Sequence, residues 1–397
     1  MRVAMFTDSF HPELGGIQDS LLCLSRALGE RGHDIVVYAP AASPRDYRVA
    51  GLPPTEVDLG AAVTVRRLFA LPVPSSTGQS RLLVPTGRCW RELARFAPDV
   101  VHTHTFLGAG WEALRAADRL GVPLVGTNHW AVAAFGGYVP VAGERIARLG
   151  LQAVTRYYNR CALVTGPSRS VLAEMRTAGL RRPHKVVSNP IDTACFRPAT
   201  PERRQALKQQ LGFPEGTILY AGRLAAEKNI DLLVRALPLV LRQIPSAMLA
   251  LAGHGSARGS LRDLAAQLGV LDRLRFLGTL DQPALADAFR AADVFAIAST
   301  SETQSMVLLQ AMACGLPAVG VRSRALPESI GEDTGLLADA GDAAQFAQQL
   351  ARLLRQPELR SRLGEGAART ARRFGVAETV AAWEDIYASC AATGALH

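Results

Sequence analysis

Short continuous apolar runs alternate along the chain with longer stretches in which apolar residues recur every three or four positions. This pattern predicts buried strands separated by amphipathic helices. Arg2 to Phe6 is an apolar strand, and Asp8 to Gly16 is a turn-rich loop. Ile17 to Gly29 then places Ile17, Leu21, Leu24, Ala27 and Leu28 on one helical face, and Asp34 to Ala39 is a second buried strand. The stretch that follows has no repeat pattern. Arg81 to Phe96 reads as helical in its second half, with Arg88, Arg91 and Arg95 sharing a face. Asp99–Thr105, Pro123–Thr127 and Ala162–Gly166 are predicted strands, with a helix over Gly110–Arg119. Residues 143 to 160 form a further amphipathic helix, with Ile146, Leu149, Ala153 and Tyr157 on one side and Arg145, Arg148, Arg156 and Arg160 elsewhere.

The Pro, Asn and Asp content of HKVVSNPIDTACFRP marks a junction. Beyond it the alternation resumes. A helix over Pro201–Leu211 precedes strands at Thr217–Ala221, Ala247–Ala252 and Leu274–Leu277, with helices at Leu261–Leu268 and Ala284–Ala291. An apolar run from Asp293 to Ser299, a polar bend and a helix over Met306–Cys314 follow, and Gly315 with Pro317 stops that helix. The expected architecture is therefore α/β, with two Rossmann-like domains whose parallel sheets face each other across a cleft. The expected domains span 1–190 and 191–374, with a terminal helix at about 375–397 packing back on the first.

Composition agrees with that size. A chain of 397 residues is too long for one ordinary core, and 48% apolar against 20% charged residues marks a globular protein. Six scattered cysteines form no CxxC pair, which argues against a zinc site or disulfide framework and for a reducing compartment. The N-terminus turns polar too quickly for a signal peptide, and no apolar run is long enough to span a membrane, so a cytoplasmic protein is expected. Charge is uneven: residues 1 to 190 carry 22 Lys+Arg against 14 Asp+Glu, and the remainder 22 against 21. A basic first half points to an anionic partner, nucleic acid or a membrane surface, although an Arg-rich surface alone gives the same pattern. Nearly all the positive charge is Arg, with Lys only at 185, 208 and 228.

Candidate chemistry gathers where strands end. In TSETQSMVLLQAMACGLP a polar bend joins a strand to a helix N-terminus, where free N–H groups and the helix dipole favour an anion. Glu302 lies in the bend and Gln310 in the helix; an exposed loop acid and a surface amide fit the same pattern. Gly15-Gly16 before a helix lets a phosphate or acceptor approach the backbone, or is a plain turn; it is not GxGxxG. His102 and His104, two apart on a strand, point the same way. A packed strand end accounts for them equally, and a metal pair lacks a third ligand. Asn128-His129-Trp130 forms a second polar cluster at a strand end. The arginine-bearing helix at 143–160 suits a lipid interface or a core-packed surface position.

Six segments in register, HPELGG, VVHTH, NPID, YAGRLAAEKN, GHG and SETQSMVLLQAMACGLP, resemble retaining glycosyltransferases of the family 4 type with the two-Rossmann GT-B fold. The resemblance covers essentially the whole chain. It implies a nucleotide diphosphate sugar, UDP-sugar or GDP-mannose, on the second domain and a hydroxyl acceptor on the first, without a metal or other cofactor. Arg223 and Lys228 would hold the diphosphate, and Glu302 the sugar hydroxyls. The N–H groups of Gln304, Ser305, Met306 and Val307 would cradle sugar and phosphate. His104 would stand near the sugar, with His102 as the fallback, and Gly15 and Gly16 would border the diphosphate and acceptor. No enzymic nucleophile is implied. Two positions depart from the family: Gln310 replaces a glutamate that binds the ribose, and Pro190 replaces a hinge glycine. SETQ together with the TNH around His129 is similar to members that glycosylate diacylglycerol. This implies a lipid acceptor and an anionic membrane surface as partners, with peripheral attachment to the inner face of the cell membrane. The alternatives are a soluble or polysaccharide acceptor, a nucleotide-sugar epimerase, for which no acid/base carboxylates are evident, and a weakly active nucleotide-sugar binder. A nucleic-acid binder is not expected, because interleaved aromatics and a recognised module are lacking.

Overall fold

The computed structural model describes residues 1–13, 15–73, 79–130 and 143–394. The chain divides into two compact units, Met1–Pro190 with Val376–His397, and Ile191–Gly375.

The first unit begins with β1 (Arg2–Phe6), α1 (Gly16–Glu30), β2 (Asp34–Pro40), α2 (Pro44–Ala50) and β3 (Val63–Leu68). A short antiparallel ribbon, β4 (Ala70–Pro72) with β5 (Arg81–Leu83), is followed by α3 (Trp90–Phe96), β6 (Val100–Thr103), α4 (Gly108–Leu120) and β7 (Leu124–Thr127). Next come α5 (Gly143–Tyr158), β8 (Leu163–Gly166), α6 (Arg169–Thr177) and β9 (His184–Val186). The main strands form one parallel sheet in the order β3-β2-β1-β6-β7-β8-β9. Such a sheet is covered on both faces, which is why β1 reads as an unbroken apolar run. Alternation along β1 separates the two cores: Val3 and Met5 pack with α1, whereas Ala4 and Phe6 pack with α4, α5 and α6.

In this unit the sequence expectations need two corrections. Arg88 precedes α3, so it does not share a helical face with Arg91 and Arg95. In α5 the packed face is Leu151, Val154, Thr155, Tyr157 and Tyr158, whereas Leu149 is 62% exposed and Ala153 is also exposed. The helix is thus rolled away from the expected stripe, because the two tyrosines bury more area than Leu149 and Ala153 together would. The side chain of Ile146 lies outside the described residues.

The second unit contains α7 (Pro201–Leu211), β10 (Thr217–Ala221), α8 (Ile230–Leu241), β11 (Met248–Ala252), α9 (Arg258–Gln267), β12 (Leu274–Gly278), α10 (Gln282–Ala291) and β13 (Val294–Ile297). It continues through α11 (Met306–Ala313), β14 (Ala318–Val321), α12 (Leu326–Ser329), β15 (Gly335–Ala338), α13 (Ala343–Arg355) and α14 (Pro357–Ala371). Its parallel sheet has the order β12-β11-β10-β13-β14-β15. Helix starts are written in the sequence: Thr200, Asp281, Ser305 and Asp342 each accept a first-turn N–H with the side chain. Lys208, one of the three lysines, is structural, since it is buried and its Nζ donates to Asp293 at 2.9 and 3.0 Å. Ile191 N–H donates to the Phe374 carbonyl, so the chain enters and leaves this unit side by side. The final helix, α15 (Val376–Gly394), joins the first unit, where Val380, Trp383, Ile386 and Tyr387 enter the core beside α1.

Candidate functional site

In a doubly wound sheet the strand order reverses at one point, and the carboxyl ends of the two strands there open a crevice for a ligand. The reversal falls between β10 and β13 in the second unit and between β1 and β6 in the first. The candidate residues divide between these two points.

In the second unit the chain leaves β10 at Gly222-Arg223 and makes a 3-10 turn over Ala226–Lys228. Leu224 N–H donates to the His254 carbonyl, Ala257 N–H donates back to the Leu224 carbonyl, and the Tyr220 hydroxyl donates to the Arg223 carbonyl. The clasp requires glycine: a Cβ on Gly253 would lie 1.9 Å from the Gly222 oxygen, and one on Gly255 2.2 Å from that of Leu224. Asn229 follows in the left-handed region at φ 49, a conformation Asn tolerates. Its side-chain amide donates to Ala298 O at 3.2 Å and Thr300 Oγ1 at 3.3 Å, both beyond β13. Asn229 therefore ties the Lys228 turn to the Glu302 bend.

That tie brings Lys228 Nζ to 2.7 Å from Glu302 Oε1, with the side chains 21% and 11% exposed. Arg223 pairs at 2.7 Å with Glu227, four residues on, which no motif in the sequence marks. Ser305 caps α11, its Oγ accepting from Leu308 N–H, so the N–H groups of Met306 and Val307 fall in the first turn, where helices have no internal acceptors. Gln304 stands just before the cap, and Gln310 is buried one turn further into α11. Lys228, Glu302 and the α11 start thus sit at one strand edge.

In the first unit, β1 is followed by Asp8 and β6 by His104. Asp8 is buried and accepts from Leu83 N–H, Ala109 N–H and the Thr105 hydroxyl, fixing the start of α4. Burial pushes its carboxyl up to about 6, against those hydrogen bonds. Replacing Asp8 by Ala leaves two backbone donors without their acceptor, and chemical denaturation is expected to show a loss of about 2–4 kcal/mol. Asp8→Asn should recover part of it.

His102 and His104 do share a side of β6, with ring centroids 3.9 Å apart. Their roles differ. His102 is fully buried, its Nδ1 2.7 Å from the Tyr387 hydroxyl and its Nε2 2.7 Å from Thr127 Oγ1, with Trp383 against the ring. Both ring nitrogens of His102 are thus engaged within the protein, so of the two histidines His104 is the one with a nitrogen available to a ligand. The physical reason is position: His102 lies within the strand under α15, and His104 one residue beyond its end. His104 Nδ1 is 3.1 Å from His129 Nε2, and its buried Nε2 has no hydrogen-bond partner among the described residues. Burial first, then the neighbouring imidazoles, holds His104 well below the usual histidine range; burial alone lowers His129 to about 4. Both rings are neutral at pH 7. Gly15 and Gly16 are exposed at the start of α1, where Gly15 has no side chain to cap the helix.

Two doubly wound units, each with its candidate residues at the strand-order reversal, define a GT-B type of protein. Sequence and structural relatives agree. Residues 14–194 match the Glycosyltransferase Family 4 profile, and residues 203–370 match that of Glycosyl transferases group 1. D-inositol 3-phosphate glycosyltransferase of Xylanimonas cellulosilytica is 33% identical over 98% of this chain and 96% of that protein. Sulfoquinovosyl transferase of Arabidopsis thaliana is 28% identical over 94% of this chain and 70% of that protein. Among solved structures, sucrose-phosphate synthase from Thermosynechococcus elongatus superposes with a TM-score of 0.80 at 21% identity over 99% of both chains. An Anabaena protein in complex with UDP gives 0.77 at 20% identity, covering 98% of this chain and 100% of that one. The chain belongs to glycosyltransferase family 4 and is a glycosyltransferase. Among the described residues no helix is long and apolar enough to cross a membrane, and no three His, Cys, Asp or Glu side chains converge as a metal site.

Proposed function

We propose that the protein moves a hexose from a nucleoside diphosphate sugar, preferably a UDP-sugar, to a hydroxyl of a membrane lipid, with retention at the sugar carbon. The observation that carries the donor half is the Lys228–Glu302 pair, which Asn229 holds beside the α11 start at the second sheet's reversal point. Departure of a nucleoside diphosphate builds negative charge, and Lys228 with Arg223 would offset it without a metal. Each cation rests on a carboxylate, so it is held in place before the donor arrives. Glu302 would accept from sugar hydroxyls, and the N–H groups from Gln304 to Val307 would receive phosphate or sugar oxygens. In the first unit, His104 Nε2 is a buried polar atom with no partner among the described residues, and a substrate hydroxyl would supply one. Gly15 and Gly16 would leave room for the diphosphate or acceptor. No side chain is assigned as a nucleophile; the departing phosphate would take the acceptor's proton.

The lipid acceptor rests on α5 and the β4–β5 ribbon. The outer side of α5 carries Arg145, Arg148 and Arg156 around the exposed Leu149, with Arg160 in the turn after it, and the ribbon exposes Leu71 and Leu82, with Phe69 65% exposed beside them. Apolar side chains among arginines suit an anionic bilayer surface. A soluble phosphorylated polyol is the second reading, favoured by the D-inositol 3-phosphate glycosyltransferases among the relatives. Flotation with anionic vesicles, paired with a radiolabelled-donor assay, separates the two. Vesicle binding and label in a lipid product are expected. Full activity on a soluble acceptor with no flotation would sink the lipid reading and leave the donor assignment standing.

Gln310 is buried in α11 and, by the family resemblance, would face the ribose. A carboxylate accepts from two ribose hydroxyls more strongly than an amide does. Gln310→Glu is therefore expected to lower the Kd for UDP by about tenfold, a gain of ~1.4 kcal/mol, measured by calorimetry. A higher Kd would show instead that the Gln310 amide donates to the ligand.

A further inference from the structure

The second unit contains a cavity of about 640 Å³ that none of the residues assigned above lines. It lies at the other edge of the sheet. Asp293, which immediately precedes β13, and Leu316-Pro317, which precede β14, form part of its wall, whereas Lys228 and Glu302 follow the carboxyl ends of β10 and β13. Its volume falls in the range of small-molecule sites. The turn after α11 forms the floor, and α14 lies close over it: a Cβ on Gly364 would come 2.4 Å from the Gly315 oxygen.

The charge on the wall is one-sided. Five arginines line the cavity, at 204, 290, 360, 369 and 372, against two acids, Asp293 and Glu365. Arg290 is committed to the fold, since it donates to Asp287 and the Arg197 carbonyl, and Arg204 is bound to Asp293, which also takes Lys208. The other three all come from α14 and its end. Among the described residues the Arg360 side chain donates to the Leu354 carbonyl, Arg369 meets Glu365 at 3.9 Å in solvent, and Arg372 has no ion pair. Apolar side chains share the lining: Leu316 in the turn after α11, Phe289 on α10 and Pro357 at the start of α14. Guanidinium groups on a wall that also carries apolar side chains match an anion joined to a flat or aliphatic body, and their planar forks suit phosphate oxygens.

We propose that this cavity is a binding site for an organic phosphate, separate from the donor site. Thermal shift of the full chain with inorganic phosphate and with phenyl phosphate tests it. Both probes should stabilise the protein, and phenyl phosphate should bind about tenfold more tightly because its ring covers the apolar lining. Arg369→Glu with Arg372→Glu, both on exposed side chains, should weaken both probes at least about tenfold, and Arg360→Gln should weaken them as well. Lys228→Ala, which alters only the donor site, should leave the arginine-dependent part of both shifts in place. The proposal falls if neither probe stabilises the wild type. It falls equally if Lys228→Ala abolishes the shift while the arginine variants keep it, since phosphate would then sit at the donor site.

Discussion

Lys228→Ala is expected to lower kcat for sugar transfer by about 10³-fold while leaving a folded protein. A charge-assisted contact to a departing diphosphate is worth about 3–4 kcal/mol at the transition state, a larger effect than the ground-state hydrogen bond alone provides. The cost to the fold is smaller. Lys228 and Glu302 pair at 2.7 Å but keep 21% and 11% of their side-chain surface exposed, so water relaxes around whichever partner remains. A loss of about 1–2 kcal/mol in denaturation is expected, below the cost of breaking a fully buried pair. Glu302→Ala should be equally damaging to turnover, and Glu302→Gln should recover part of it, since an amide oxygen still accepts from a sugar hydroxyl. Because Lys228 and Glu302 hold each other, the double variant should lose less than the two single losses added in free energy. Near wild-type turnover in either single variant would remove the donor-site assignment.

Asn229 shows how much of that site could be read from the sequence. The strand ends, the bend at Glu302 and the capped start of α11 were legible because each is written locally, in an apolar run, a polar break and the cap at Ser305. The pairing of Lys228 with Glu302 was not, because it depends on a side chain 69 residues from its acceptor reaching from the end of one turn to Ala298. Only Asn229's place between a turn and an apolar helix hinted at a left-handed residue. The same contrast holds for the histidines. Spacing of two placed His102 and His104 on one side of a strand, yet it could not say which would be covered. Tyr387 and Trp383, almost three hundred residues on, make that distinction by burying His102 under α15. The segment between β2 and β5 shows no repeat pattern in sequence, although Ser43 and Asp46 form a capping box before α2 and β3 alternates in burial. Those cues were present and were obscured by the Pro and Gly content around them. In α5 the periodicity was right and its phase wrong, because two stripes compete and tertiary packing on the tyrosines decides between them.

His104→Ala is expected to reduce kcat by about 10²-fold with little change in stability. Its Nε2 is buried with no partner among the described residues, a state that costs about 1–3 kcal/mol unless a ligand completes it, so removing the ring offsets part of the packing and the His129 bond lost with it. His129 shares one proton with His104 across 3.1 Å and thereby sets which tautomer His104 presents. If His129 Nε2–H donates, His104 Nε2 carries a hydrogen toward the substrate; the reverse arrangement leaves it an acceptor. His129→Gln retains a donor amide and should preserve much of the activity that His129→Ala loses. The pH behaviour follows from the lowered affinities for protons. Unfolded histidine binds a proton near pH 6.5, whereas His129 in the fold binds one only near 4, and His104 lies well below its usual range. The unfolded state therefore holds more protons across this window, and stability is full above pH 6.5 and falls as the pH drops toward 4. Each such group contributes a slope of ~1.4 kcal/mol per pH unit. Asp8 and Asp19, both raised by burial to about 6, act with the opposite sign, because the folded state holds their protons more tightly. Only the difference between wild type and variant isolates one ring, so denaturation of His129→Gln and wild type should be compared from pH 4 to 7. The variant should show a shallower acid loss by about one group's slope, together with turnover that follows the His104 tautomer. Equal slopes would mean that His129 is charged in the fold, and the neutral His104–His129 pair would fall with it.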